Sequence, residues 1–216
     1  MQNNKKLLFL SKQIWKGKSV TRAYLNARLA SAECVGDTID IGGGVSSQYL
    51  ASMKRAKGVE IKTFDLRHGD DVNFETDQLP AADNAFDTVL FLNVMEHIFN
   101  YQHIANEVVR ITKQNGQVIG FVPFLMWYHP DHSDYFRYTH EALEKIFAAT
   151  GASKVEIEPI ESGPFVAASH LIILGIPRYF RLFIFVPAYC FDALIGYFQK
   201  RTIPKYVLGY YFKLTK

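Results

Sequence analysis

No acidic residue occurs among the first thirty positions of this chain, and from residue 165 to 216 only Asp192 stands against seven basic residues. The two segments carry +7 and +6, so a chain of net charge +3 holds −10 in residues 31–164. Basic, apolar ends around an acidic middle point either to an anionic surface or phosphorylated substrate, or to the solvated faces of packed helices. Cysteine is scarce. Cys34 and Cys190 are far apart and form neither a disulfide framework nor a metal-ligand spacing, as expected in a reducing compartment. Long uncharged runs are missing too. Residues 162–177 and 182–191 are separated by Arg178 and Arg181 and contain or adjoin prolines, and neither reaches the roughly 18 residues of a spanning helix. Leu7-Leu8-Phe9-Leu10 is too short an apolar core for a signal peptide, so a cytoplasmic chain is expected. Basic residues are not interleaved with a nucleic-acid motif, and no nucleic-acid partner is expected. There is no repeat or low-complexity linker, so 216 residues fit one domain.

Glycine is concentrated where it matters. Asp37 to Gly44 reads Asp-Thr-Ile-Asp-Ile-Gly-Gly-Gly, an apolar run broken by Gly42, Gly43 and Gly44. A buried parallel strand that ends at glycines and restarts as a helix, here 46–56, lets backbone approach a nucleotide-like ligand closely. Asp65 follows Gly44 by 21 positions, at the end of a strand over 59–65, where a carboxylate can accept hydrogen bonds from ribose hydroxyls. Dinucleotide and S-adenosylmethionine sites share this spacing. Gly42-Gly43-Gly44-Val45-Ser46-Ser47 places Ser47 at the last glycine of Gly-x-Gly-x-x-Gly, which disfavours a nicotinamide-dependent oxidoreductase.

The remaining chain alternates strands and helices. A helix is expected over 19–32, a buried strand over 86–92, a helix over 104–112, a turn at Asn115-Gly116 and a strand over 117–122. Thr139 caps a helix that Gly151 closes, and a short strand over 154–158 ends at Pro159. Large apolar residues divided by Pro177 and Pro187 fill 164–204, a helical insertion before a final strand at 206–213. The pattern predicts an α/β fold with a doubly wound, mostly parallel sheet and a ligand at the strands' carboxyl ends. Its parts are a basic helical extension (1–34), a core (35–163), the apolar insertion (164–204) and the final strand (205–216).

Asp40-Ile41-Gly42-Gly43-Gly44, Asp65, the run from Leu79 to Val89 and Asn93-Val94-Met95-Glu96-His97-Ile98 together resemble the class I S-adenosylmethionine-dependent methyltransferases, including type 11-like members of surface-glycan synthesis. The resemblance spans roughly residues 35 to 160 and implies a seven-stranded Rossmann-like sheet. It further implies S-adenosyl-L-methionine as cofactor, with Asp40, Gly42, Gly43 and Gly44 against its methionine part and Asp65 on the ribose. Glu75, with Thr76 beside it and Asp77 as the fallback, would lie near the adenine amino group, and Asn93 and Val94 near the sulfonium. Ser46 stands where the family has its third glycine, so a non-catalytic, membrane-associated binding module is the competing expectation.

The acceptor is sought in the loop from His129 to Thr139, after the strand that ends near Val122. His129 or His132 is a candidate base, Asp131 or Asp134 its orienting partner, and Arg137 an anchor for phosphate or carboxylate, with Tyr135 beside them. Alternatively Arg137 pairs with Asp134 to brace the loop. A zinc site from His129, Asp131 and His132 lacks a fourth ligand, and no metal is expected. Glu96 and His97 are expected to cap and pack rather than to react. The expected reaction is O-methylation of a sugar or lipid-linked glycan. Arg178 to Phe185, aromatic and aliphatic residues among arginines, is the expected peripheral membrane contact at the inner face.

Overall fold

The computed structural model of the chain describes residues 3–43, 47, 49–64, 72–130, 133–198 and 205–216. In chain order the strands are β1 (Glu33–Cys34), β2 (Thr38–Ile41), β3 (Lys54–Arg55), β4 (Ile61–Phe64), β5 (Phe86–Leu92), β6 (Thr112–Pro123), β7 (Lys154–Ser162) and β8 (Tyr206–Thr215). The helices are α1 (Asn3–Trp15), α2 (Val20–Leu29), α3 (Tyr101–Ile111), α4 (His140–Ala148), α5 (Pro164–Ile172) and α6 (Arg181–Phe198). Six strands form the main sheet in the order β4-β2-β5-β6-β8-β7, and β1 pairs separately with β3. The β4-β2-β5-β6 neighbours are parallel, whereas β8 runs antiparallel to both β6 and β7. The mostly parallel, doubly wound sheet is therefore present, with six strands among the described residues.

Alternation along β5 explains the two layers. Val89 and Phe91 face one side, where Ile104 and Val108 of α3 and Leu143 and Phe147 of α4 cover them. Leu90 and Leu92 face the other, beneath Leu10, Leu25, Val166 and Phe185 of α1, α2, α5 and α6. Successive strand side chains point to opposite faces, so a strand buried on both reads as a continuous apolar run. At Gly120 and Gly209 the sheet makes room for aromatic rings. A Cβ on Gly120 would lie 2.0 Å from Phe212 Cζ, and one on Gly209 2.3 Å from Phe121 Cζ. Phe212 cannot retreat easily, because its ring packs 4.5 Å from that of Phe147. Gly120→Ala is therefore expected to lower unfolding free energy by about 1–3 kcal/mol through overpacking, read from the urea midpoint.

The caps follow the sequence. Ser19 Oγ accepts from Arg22 N at 3.1 Å to start α2, and Thr139 Oγ1 accepts from Ala142 N at 3.3 Å to start α4. Four elements differ from expectation. The helix over 46–56 is replaced by a 3-10 turn at Leu50–Ser52 and by β3, because Lys54 N and Ala56 N donate to Ala32 O and Cys34 O instead of to helical carbonyls. Asn115-Gly116 makes no turn between elements: Asn115 adopts φ 62° inside β6 and donates its N–H to Lys216 O. β7 continues through Pro159 to Ser162, since it is the outermost strand, where a missing N–H is tolerated. Pro187 lies inside α6, whose turn is held by the buried Phe185 and Ala188. That continuity changes the apolar insertion. Arg178–Phe198 is one 21-residue helical segment, long and apolar enough by length and composition to cross a membrane, yet with only 11% of its most apolar window buried.

Candidate active site

The glycine turn lies at the carboxyl end of β2. Gly42 has φ 74° and donates its N–H to Phe64 O at 2.7 Å, and a Cβ there would meet Val94 Cγ2 at 2.6 Å. A Cβ on Gly43 would lie 2.0 Å from Asp40 Oδ2. Asp40 is wholly buried and accepts from Tyr49 Oη at 2.6 and 2.7 Å and from Ser47 Oγ at 2.7 Å. Asp40 thus supports the turn from beneath, and Val94 packs under Gly42. Neither lines the cavity expected to hold the cofactor, whereas Gly42, Gly43 and Asn93 do. Gly44 and Asp65, and with them Ser46, lie outside the described residues.

The cavity, of about 230 Å³, is bounded by the glycine turn, by Asn93 and Glu96 after β5, by Ser19, Arg22 and Leu25 of α2 with its cap, and by Met126 and His129 after β6. Asn93 has φ 56° and donates its N–H to Phe121 O at 2.9 Å, a turn that leaves its side chain at the strand end. Its Nδ2 is buried without a hydrogen-bond partner, as is Nη1 of Arg22, whose guanidinium lies 5.4 Å over the Tyr49 ring. Buried donors of this kind call for an acceptor. Beside a glycine cradle, they fit a ligand with carboxylate oxygens, as S-adenosylmethionine has.

Glu96 and His97 form the other wall. Glu96 is fully buried, and neither carboxylate oxygen accepts a hydrogen bond from another residue. His97 Nε2 lies 3.8 Å from its Oε1. Burial raises the Glu96 carboxyl to about 8, against the weaker opposing pull of Arg137 and Arg22. As pH rises from about 4.5 to 8, the unfolded chain loses this proton first, so the folded state should lose stability over that window. Glu96→Gln is expected to remove that decline, read by denaturant unfolding at pH 5 and pH 8. The capping role expected for Glu96 is not what its side chain does, because the turn at Met95–His97 has no side-chain cap.

The loop after β6 is braced rather than open. Arg137 Nη1 and Nη2 bind Asp134 Oδ1 and Oδ2 at 2.5 and 2.7 Å, and Arg137 also donates to the Trp127 and Phe136 carbonyls. Asp134 Oδ2 further accepts from His129 N at 2.9 Å. The guanidinium holds the Asp134 carboxyl down to about 2. Of the two readings of Asp134 and Arg137, the pairing that braces the loop is the one present, and neither residue lines the cavity. Tyr135 packs edge-on against Phe99 and stays outside it as well. His129 does line it, with its ring 5.2 Å from that of His97. Asp131 and His132 lie outside the described residues.

Glu75 and Thr76, expected near the adenine amino group, are both engaged with protein groups. The Glu75 carboxylate accepts from Phe99 N at 2.7 Å and Asn100 N at 2.6 Å, tying down the start of α3. Thr76 Oγ1 donates to Asp77 Oδ1. Neither side chain lines the cavity. Sequence reasoning also missed Ser19, Arg22 and Tyr49, which no motif marks; Ser19 and Arg22 reach the cavity because α2 packs against the turn at Leu50–Ser52, and Tyr49 enters from the residue just before that turn.

A parallel sheet closed by an antiparallel strand, with a glycine-lined cavity at the strands' carboxyl ends, defines the class I S-adenosylmethionine-dependent methyltransferase fold. Residues 39–120 match the family model described as "Methyltransferase domain". The nicotinamide alternative falls with this match. Among relatives, a demethylmenaquinone methyltransferase of Bacillus cereus is 28% identical over 125 residues, 56% of this chain and 51% of the relative. The chain therefore spans about half the length of the curated relatives it matches. A methyltransferase structure from Archaeoglobus fulgidus aligns over 97% of this chain and 99% of its own, with TM-score 0.53 and 13% identity. Haemonchus contortus phosphoethanolamine N-methyltransferase 2, solved with S-adenosyl-L-methionine, aligns over 91% and 52%, with TM-score 0.51 and 17% identity. These likenesses concern the fold.

Proposed function

We propose that this chain moves a methyl group to an oxygen of an amphipathic acceptor, a sugar hydroxyl on a lipid-linked or phosphorylated glycan, at the cytoplasmic face of a membrane. The observation that carries the reading is the cavity itself. Gly42, Gly43 and Asn93 make one wall, suited to the donor, and Glu96, His97 and His129 make another, suited to an ionisable acceptor. Bound S-adenosylmethionine supplies an already activated methyl on a sulfonium. The protein's part is to orient: the glycine turn admits backbone to the cofactor, Asn93 Nδ2 and Arg22 Nη1 offer donors to its carboxylate end, and Met126 and Leu25 keep water from the far side. His129 is placed to accept a proton from a hydroxyl, and Asp134 to hold the His129 backbone.

The membrane part rests on the exposed aromatic face of α6 and on the basic ends of the chain. Of the two arginines in that face, Arg181 is engaged with the Ile176 and Gly17 carbonyls and fastens α6 to the α1–α2 turn. Arg178 lies over the Tyr179 ring at 4.7 Å and is the one set to meet headgroups. The test is incubation of the purified chain with methyl-labelled S-adenosylmethionine and a membrane glycolipid extract, followed by mass spectrometry. Label on a sugar oxygen supports the reading; label only on carbon, as on a lipid quinone of the kind the Bacillus cereus relatives are named for, replaces the acceptor. Failure of the folded chain to bind S-adenosylmethionine overturns the reading in favour of a non-catalytic module.

A further inference from the structure

We propose that Glu96 and His97 form the proton-accepting pair of the acceptor site, with His97 Nε2 meeting the acceptor's hydroxyl and Glu96 holding the charge that results. The inference rests on the reading of the cavity as a methyl-donor site, and adds to it a group that His129 alone does not supply.

Three observations carry it. The first is a fixed tautomer. His97 Nδ1 lies against the Ser133 carbonyl oxygen, which can only accept, so Nδ1 carries the hydrogen and the lone pair of the neutral ring sits on Nε2. Second, that Nε2 is the atom 3.8 Å from Glu96 Oε1. Third, the Glu96 carboxyl is wholly enclosed and neither oxygen accepts a hydrogen bond from another residue. An enclosed carboxyl left in this way is costly unless it has work elsewhere, and it belongs to the cavity wall beside Asn93 and Gly42. The backbone reinforces the placement, since Glu96 O accepts from Tyr135 N at 2.9 Å and so ties this turn to the loop after β6.

The charges around the pair come from every element packed on it. Arg22 reaches from α2, Arg137 and Asp134 act from the loop after β6, the Tyr138 hydroxyl lies beneath, Asp40 sits under the glycine turn, and His129 borders the same cavity. Arg137 and Asp134 largely cancel, being paired to each other. The balance favours a protonated carboxyl in the free protein, raised to about 8 by enclosure. A sulfonium bound in this cavity would favour loss of that proton. In the transfer, the acceptor oxygen bonds to the methyl carbon as the carbon–sulfur bond breaks and its electron pair stays on sulfur. The acceptor's proton passes to His97 Nε2 and is shared with the Glu96 carboxylate, so the pair returns to its protonated resting state and gives that proton to solvent when the next S-adenosylmethionine binds.

The experiment needs no acceptor. Binding of S-adenosylmethionine and of S-adenosylhomocysteine is measured by calorimetry at pH 7.5 in buffers of different ionisation enthalpy. Proton release should be greater for the sulfonium by about half a proton in the native chain. That difference should vanish in Glu96→Gln and persist in Glu96→Asp. If Glu96→Gln is unfolded, infrared titration of the native protein replaces it: a protonated-carboxyl band should disappear near pH 8 in the free chain and at lower pH with S-adenosylmethionine bound. Equal proton release for both ligands, or an unchanged difference in folded Glu96→Gln, overturns the assignment while leaving the donor site standing. No binding of either ligand overturns both. In the labelled-methyl assay, Glu96→Gln should lose about 100-fold or more of the rate, together with the rise of rate toward pH 8. An unchanged rate and pH profile in that variant also overturns the pair.

Discussion

Gly43→Val is expected to weaken binding of S-adenosylhomocysteine by roughly 150-fold, about 3 kcal/mol, without unfolding the chain. Valine brings a Cβ to 2.0 Å from Asp40 Oδ2 and 2.3 Å from its Cγ, distances at which something must move. Asp40 is badly placed to yield, because it is fully buried and is gripped by the Tyr49 hydroxyl and by Ser47 Oγ. The strain therefore falls on the turn itself, which must swing into the space meant for the ligand. Gly42 compounds it, since its φ of 74° and its 2.7 Å bond to Phe64 O leave little freedom to compensate. Gly175 supplies the control: a Cβ there would meet nothing within 4 Å and its φ is ordinary, so Gly175→Ala should bind as the native chain does. Calorimetric titration reads both. Native-like affinity in Gly43→Val would move the donor away from this turn.

What the sequence made legible is what local chemistry dictates. The strand–glycine turn, the caps at Ser19 and Thr139 and the apolar alternation of β5 each depend on a few neighbouring residues, and each appears where those residues imply it. The misread elements were decided by distant partners. β3 forms because the edge at Cys34 captures its amides, β7 runs past Pro159 because it has β8 on one side only, and α6 passes Pro187 because Phe185 anchors it in the core. The site divides in the same way. Gly42, Gly43 and Asn93 are legible from the motif, whereas Arg22 enters from a helix more than fifteen residues upstream in the chain and carries no motif of its own. For Asp134 and Arg137 the sequence offered both anchoring and mutual pairing, and only the three-dimensional packing decides for the pair. Glu96 packs as expected, but its complete enclosure depends on distant elements and is not legible from neighbouring residues.

The apolar face of α6 supports a second large effect. Phe183, Phe191, Leu194 and Phe198 recur at spacings that put them on one side of a helix, and all are more than half exposed. Phe180 extends the face, with its ring 6.4 Å from that of Phe183, and α6 is about 27 Å long at 1.5 Å per residue. Such a strip is larger than the scattered apolar contacts of an ordinary surface. Its occupant is read from charge: the chain carries +7 in its first thirty residues and +6 beyond residue 164, which repels a second copy and attracts anionic headgroups. Each ring taken out of water contributes about 1.5–3 kcal/mol, so replacing Phe180 and Phe183 together by glutamate should lower partitioning into phosphatidylglycerol vesicles by at least about 3 kcal/mol, roughly 150-fold. Both side chains point away from the core, so the variant should keep its urea midpoint. Sedimentation with vesicles at low and high salt separates the two contributions, because headgroup attraction is screened whereas ring burial is not. If the native chain does not sediment with anionic vesicles at low salt, or if the variant changes only its association state, α6 is a protein contact and the acceptor need not come from a membrane.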